Sequence, residues 1–394
     1  MDASIPKRPH LGRLNARIFV MSTSTPLTAA DWAFLLDLFR LPGKFISGEP
    51  YGSGHINDTF ALTVQPAGPP VRYLLQRIND RIFKNVPALM ENIQRVTAHS
   101  QARLAATAHP DAARRSLNLF FTAQGQPCGQ DAHGHWWRCY TFIEGAKTYD
   151  IIEQPQQARA AARAVGEFQK NLTDLPGARL HETIPFFHHT RQRFDHLQAV
   201  IAADPVDRVR TAAAEIAFCR EREPLVDRLL ARQVQGDLPE RITHNDTKLN
   251  NVMLDDVTGE GICVIDLDTV MPGLTLSDFG DMVRTATNAA AEDETDLSLV
   301  EVRLPIFTAL AEGYLSSAHG FLNPVERSLL VFAGRLSTFE VGIRFLTDYL
   351  AGDTYFKVRR PLHNLDRTRN QLALLRRLEH HADAMEAIIA RCSP

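Results

Sequence analysis

Four polar residues in "RITHNDTKLNNVMLDDVTGEGICVIDLDTV", residues 241–270, have types and spacing that could do chemistry. Asp246 follows His244 and Asn245, and Lys248 stands two residues later. Asn251 comes after Asn250, and Asp266 ends an apolar run. "NVML", "DDVTGEG" and "ICVIDLD" parse as strand, turn and strand, so a hairpin would bring Asp246, Asn251 and Asp266 to one edge. A hard divalent cation such as Mg²⁺ takes oxygen ligands from one or two carboxylates and from substrate phosphates. A further carboxylate nearby can accept the proton of a hydroxyl nucleophile. Such a set suits phosphoryl transfer, in which positioning and charge neutralisation do most of the catalysis. The blander account is a loop Asp capping a turn beside an ordinary hairpin; it requires four residue types to agree by chance.

The five-residue step from Asp246 to Asn251 is also that of protein kinases, whose H-R-D-L-x-x-x-N loop places the base before a metal-binding Asn. With "HND" for "HRD" and "IDLD" for D-F-G, the chain resembles the small-molecule branch of that fold: aminoglycoside phosphotransferases, choline kinases and their relatives. The resemblance implies Asp246 as base with Lys248 beside the transferred group, Asn251 and Asp266 on Mg²⁺, and ATP as donor. A literal "DFG" at Asp278, Phe279 and Gly280 lies outside the hairpin. Asp278 is therefore expected to bond backbone N–H groups near a helix start. Asp268 is left between sharing the metal and facing solvent.

Nearer the N-terminus, "YGSGHIN" has Gly52 and Gly54 at GxG spacing and Asn57 where a third glycine would fall. A dinucleotide fold would need a helix next. "DTFALTV" is instead strand-like, which fits a phosphate-covering hairpin, and Asn57 and Asp58 tolerate positive φ. In "YLLQRIN" Arg77 stands where kinases of this fold carry a strand cation, as in choline kinases. Its expected partner is Glu91 in "LMENIQRV"; the blander account leaves both in solvent. The resemblance further implies that the segment joining the lobes, Phe142, Ile143 and Glu144, holds adenine through its backbone.

These residues need elements to position them. Residues 27–41 and 86–107 have helical spacing, and "TFALTV", "VRYLLQRI" and the stretch 117–141 have strand composition. After Gly145 the chain turns Ala/Leu/Arg-rich with helical periodicity over 153–172, 207–235, 298–319 and 324–351. The expected fold class is α+β, a protein-kinase-like two-lobed fold with a small β-rich N-terminal lobe (27–143) and a larger helical C-terminal lobe (144–394). Residues 1–26 read as a flexible tail in which Met21 is an alternative start. Net charge −3 and pI near 6.6 argue against a general nucleic-acid or anionic-membrane binder, and no stretch is long and apolar enough to span a membrane. Five scattered cysteines without a CxxC pair favour free thiols and a cytoplasmic setting.

"HNDTKLNNVMLD", "VIDLDTVMPG", "DFGDMVRTATN" and "RFLTDYLAGDTYFKVRRPLHNLDRTRNQL" together resemble N-acetylhexosamine 1-kinases, from about residue 45 to about 375. That resemblance implies a small-molecule sugar substrate, GlcNAc or GalNAc, phosphorylated at its anomeric hydroxyl, with sugar contacts at His55, Asp58, Asp246, Arg344 and Tyr355. Each contact has a blander account; Arg344 could pair with Glu340 or Asp348 along one helix. Residues 325–377 hold ten Lys/Arg against five Asp/Glu, a balance unsuited to a polycationic aminoglycoside. A choline site needs an aromatic cage, and none is identifiable. Other sugars, N-acetylmuramic acid included, and amino alcohols stay open, as does a non-catalytic nucleotide-binding scaffold. The pairs His188–His189 and His380–His381 and the "HGH" at His133–His135 read as solvated, and Trp136 and Trp137 as packing residues.

Overall fold

In the computed structural model, residues 27–52 and 56–392 are described. The expected tail 1–26 and two expected site residues, Gly54 and His55, lie outside them. α1 (Ala29–Leu38) starts at Thr28, whose side chain and that of Asp31 cap each other's backbone. There follow β1 (Lys44–Pro50), β2 (Asp58–Gln65), β3 (Val71–Arg77), α2 (Val86–Ala106), β4 (Leu119–Phe120), β5 (Gly129–Gln130) and β6 (Trp136–Thr141). β7 (Ala146–Lys147) precedes four helices: α3 (Pro155–Asn171), α4 (Thr190–Ala203), α5 (Ala213–Glu221) and α6 (Arg228–Val234). Four short strands come next: β8 (Arg241–Thr243), β9 (Val252–Asp255), β10 (Gly261–Val264) and β11 (Met271–Gly273). The chain ends in α7 (Thr275–Thr287), α8 (Leu304–Ala318), α9 (Pro324–Ser328), α10 (Leu330–Ala351), α11 (His363–His380) and α12 (Ala382–Cys392).

The N-terminal strands form an antiparallel sheet in the order β1-β2-β3-β6-β4, with β5 also on β6. Because side chains alternate across a strand, its two faces have different neighbours. Phe60, Leu62, Tyr73, Leu75, Trp137 and Cys139 point to α1 and make a small core with Trp32, Leu35 and Phe39. The other face belongs to the main core, which runs through α2, α3, α7 and α8. A third cluster joins α4, α5, α10 and α11. The fold is thus α+β, as expected, with an antiparallel N-terminal sheet and a larger helical part. The strands β8 and β11, which pair with each other, and β7, which extends the β9–β10 hairpin, escape sequence inspection because each has only two or three residues. All five cysteines are free, and no helix of the described residues is long and apolar enough to cross a membrane.

α10 is buried almost all round, which explains its lack of a polar stripe. It crosses α7 where Gly280 faces Ala333; a Cβ on Gly280 would stand 2.5 Å from the Ala333 carbonyl oxygen. Phe279, the residue before, is fully buried against Phe307 and Tyr314. The "FG" of the literal "DFG" is therefore explained by helix packing. Gly280→Ala should cost about 1–3 kcal/mol of stability through overpacking, measured by urea unfolding; an unchanged midpoint would mean that α7 and α10 can separate freely there.

Candidate active site

β9 and β10 form the expected antiparallel hairpin. Asn251 directly precedes β9 and Asp266 lies two residues past β10. The Ile265 N–H donates to the Asn251 carbonyl at 2.9 Å, which holds the two candidate metal ligands side by side. The Asn251 side-chain amide donates to the Asp246 carbonyl (2.8 Å) and to Asp246 Oδ2 (3.3 Å). Lys248 Nζ is 3.1 Å from the same Oδ2. The structure therefore brings Asp246, Lys248, Asn251 and Asp266 together at one edge of the hairpin.

Their environments differ. Burial alone would raise the Asp246 carboxyl, but the Lys248 ammonium outweighs it and holds the group below the usual carboxylate range. Asp266 makes no hydrogen bond or ion pair among the described residues. Loss of water, then the like charges of Asp268 and Asp246, push it up to about 6. The Asn251 amide nitrogen is already used, and its Oδ1 accepts no hydrogen bond among the described residues. An unpaired carboxylate, an unpaired amide oxygen and a local excess of negative charge fit a hard divalent cation.

The loop that presents Asp246 is fastened from several sides. Asn245 has φ 65°, the left-handed region that asparagine tolerates better than most residues. Its side chain accepts from Thr243 Oγ1 (2.9 Å) and donates to the Thr269 carbonyl (2.9 Å). His244 Nε2 donates to the Ile265 carbonyl at 2.8 Å, next to Asp266. Asp278 accepts the N–H groups of His244 (2.9 Å) and Asn245 (2.7 Å). It does bond backbone N–H groups, but those of the loop rather than those of its own helix.

His188, expected to be solvated, is instead part of this support. Its Nε2 donates to the Asn245 carbonyl and its Nδ1 to Glu340, both at 2.9 Å. Burial disfavours the imidazolium, but the Glu340 carboxylate outweighs that and raises His188 above its ordinary value of 6.5. Glu340 is buried, which would raise it, yet His188 draws it down.

In the N-terminal sheet, several expectations fail. Arg77 pairs with Asp58, not Glu91 (Nε to Oδ2 2.9 Å). It lies opposite Asp58 on β2 and Trp137 on β6, on the face packed against α1 and away from the main core. Glu91 bonds His181 at 2.9 Å. Neither Arg77 nor Asp58 is therefore presented to the hairpin; an alternation of two decides the matter. The neighbouring positions Gln76 and Arg138 take the opposite face, and Arg138 is ion-paired to Asp268. Asp268 thus neither faces solvent nor is free for a metal. An arginine in the middle of the apolar run "WWRCYTF" was the available signal.

Gly52 has φ 78° at the end of β1, a turn that favours glycine. Asn57 donates to Asp268 and accepts from the Asn79 N–H (2.9 Å). In the connecting segment, Phe142 and Ile143 are buried. Arg72 lies over the Phe142 ring at 3.8 Å and pairs with Glu144, and Tyr51 meets Phe142 edge-on.

On the helical side, Arg344 makes no ion pair among the described residues. Glu340 is taken by His188 and Thr190. Asp348 accepts the N–H groups of Thr354, Tyr355 and Phe356 at 2.8–2.9 Å. The Arg344 guanidinium lies 5.6 Å from the ring centroids of both Phe187 and Phe356, and Tyr355, largely exposed, packs on Phe356. Burial and Arg344 together lower Arg193 nearby. A cavity of about 230 Å³ opens beside this group, lined among others by Phe187, His188, Asn245 and Glu340. The basic excess of residues 325–377 is largely spent elsewhere, since Arg335, Arg367, Arg369 and Arg377 meet Glu379, Glu292, Glu215 and Glu301.

Residues 47–311 match the model of the phosphotransferase enzyme family (APH), and the chain belongs to that family. Its fold is that of an aminoglycoside phosphotransferase from Alicyclobacillus acidocaldarius, at TM-score 0.56 and 12% identity over 95% of this chain and 100% of that one. It is also similar to a choline/ethanolamine kinase family protein from Mesorhizobium loti (TM-score 0.51, 18% identity, 91% and 97% covered). A spectinomycin phosphotransferase in complex with ADP and spectinomycin matches at TM-score 0.53 and 13% identity, with 90% and 99% covered. The chain is a small-molecule phosphotransferase of this family.

Two outcomes follow from the loop supports. Asp278→Ala leaves two N–H groups without their acceptor, and each unmade bond costs about 1–3 kcal/mol; chemical unfolding should show a loss of at least the lower figure. His188 has a raised value, so its stabilisation is complete below 6.5 and fades as pH climbs through the raised value. Urea unfolding between pH 6 and 9 should show that decline, and His188→Gln should flatten it. A parallel decline in both proteins would remove His188 as its source.

Proposed function

We propose that this protein is an ATP- and Mg²⁺-dependent kinase acting on the anomeric hydroxyl of an N-acetylhexosamine. The observation that carries the reading is the contrast within one cluster: Asp246 kept ionised by Lys248, beside the Asp266 carboxylate and the Asn251 amide oxygen, neither of which has a partner among the described residues. Mg²⁺, held by Asn251 and Asp266, would screen the charge of the donor phosphates. Asp246 orients the acceptor hydroxyl and takes its proton as the oxygen bonds the terminal phosphorus and the bridging P–O bond to the nucleoside diphosphate breaks. The Lys248 ammonium offsets negative charge on the transferred group. The backbone of Phe142, Ile143 and Glu144 is the proposed adenine contact, beside Tyr51 at the end of the first strand. Free cysteines suit a cytoplasmic setting.

Arg344 and Tyr355 are the proposed acceptor contacts. A guanidinium free of carboxylate partners and a phenol hydroxyl suit a ring carrying several hydroxyls, while Phe187 and Phe356 offer apolar surface to its face. The paired guanidinium groups of Arg193 and Arg344 disfavour a polycationic acceptor. They favour, as a second reading on the same fold, an acidic sugar such as N-acetylmuramic acid.

An acceptor panel followed by phosphorus NMR tests the substrate. An acid-labile glycosyl phosphate from GlcNAc or GalNAc is expected; transfer only to a non-anomeric hydroxyl, a choline or an aminoglycoside would refute the sugar assignment. Asp246→Asn should lose most turnover while keeping nucleotide binding. Arg344→Ala should raise the acceptor KM about tenfold or more, the scale of one charged hydrogen bond, and leave the KM for ATP unchanged.

A further inference from the structure

A buried ion pair that takes no part in the proposed reaction joins the sheet to the hairpin. Arg138 is 1% exposed and Asp268 3%. The guanidinium makes a fork on the carboxylate, with Nη1 paired to Oδ1 and Nη2 3.0 Å from Oδ2. Its Nε donates to Gln76 Oε1 at 2.9 Å, and Gln76 Nε2 donates to Thr59 Oγ1 at 3.0 Å. Asp268 Oδ2 also accepts from Asn57, whose own oxygen accepts the Asn79 N–H. One carboxylate is therefore shared by β6, by the last residue before β2 and, through its own backbone, by the turn Leu267–Thr269 that follows Asp266.

Taking both charges out of water makes such a pair a weak source of net stability, but removing either partner strands the other. A pair of this kind is best suited to fixing one arrangement. Asp268 lies two residues beyond Asp266 in a tight 3-10 turn, so a displacement of its carboxylate moves the Asp266 backbone with it.

We propose that Arg138 and Asn57 are positioning residues that act through Asp268 to fix the sheet against the turn that follows Asp266 before a nucleotide binds. The inference rests on the proposed Mg²⁺–nucleotide site. Neither residue touches the reacting atoms, and Asp268 is a junction rather than a metal ligand.

The test compares the full chain with Arg138→Lys, Arg138→Gln, Asn57→Ala, Asp268→Asn and the double variant Asn57→Ala/Asp268→Asn. Binding of a fluorescent ADP analogue is measured without divalent cation and through a MgCl₂ titration, beside thermal unfolding. The gain in affinity on adding Mg²⁺ should fall about tenfold in Arg138→Gln and Asp268→Asn, as for residues that orient metal ligands. Asn57→Ala should lose less, the double variant no more than Asp268→Asn alone, and Arg138→Lys should recover part of the loss. Should Arg138→Gln fail to fold, Asn57→Ala carries the test, because it leaves the ion pair intact. The proposal is overturned if Asp268→Asn abolishes the Mg²⁺ response while Arg138→Gln and Asn57→Ala retain it, which would make Asp268 a ligand. It is equally overturned if the losses of Asn57→Ala and Asp268→Asn multiply, or if the variants lower only the unfolding temperature. Absence of Mg²⁺-dependent nucleotide binding in the unaltered protein would instead remove the kinase reading itself.

Discussion

The grip of the buried Asp278 carboxylate on the N–H groups of His244 and Asn245 is the constraint on which the site depends. A loop that enters the left-handed region at Asn245 would, unsupported, exchange with extended forms. Asp278 fixes its N–H side and His188 its carbonyl side, while the Asn245 amide ties it to Thr243 and Thr269. Asp278 comes from α7, and α7 is seated on α10 through the close approach at Gly280. The direction of the Asp246 side chain is in this way set by helix packing more than 30 residues further along the chain. That also accounts for asparagine at 245: its short amide suits positive φ and reaches both Thr243 on β8 and Thr269 in the turn after Asp266, which an arginine side chain would not do.

Much of the candidate cluster was legible in the sequence because its geometry is local. Asn251 and Asp266 are neighbours through a hairpin, and the turn residues "DDVTGEG" between two apolar runs suffice to infer that. The bond from Ile265 to Asn251 then follows from register. The α+β division was legible for the same reason, since most strand composition lies before Gly145 and most helical periodicity after it. The strands β8 and β11 were not, because two- and three-residue ladders leave no periodic trace.

What stayed hidden depends on which side of a strand a residue takes and on pairs far apart in sequence. Arg77 and Gln76 are adjacent, yet one joins Asp58 on the α1 face and the other joins Arg138 on the opposite face. A shift of one position reverses the assignment of the strand cation. The partners that matter are also remote: Arg138 and Asp268 are 130 positions apart, and His188 and Glu340 are 152 apart. A basic count over residues 325–377 misled for a related reason, since Arg335, Arg367, Arg369 and Arg377 find carboxylates outside the window.

Pairing these charges off leaves a simple electrostatic pattern. On the hairpin side Asp246 is matched by Lys248 and Asp268 by Arg138, so that Asp266 is left without a partner among the described residues. Burial first, and then the like charges of Asp268 and Asp246, shift it upward. On the helical side Glu340 is matched by His188, and the guanidinium groups of Arg193 and Arg344 are left over. Asp246 is tied to both sides: its own charge is held by Lys248, and the residue before it, Asn245, is held by His188, the partner of Glu340.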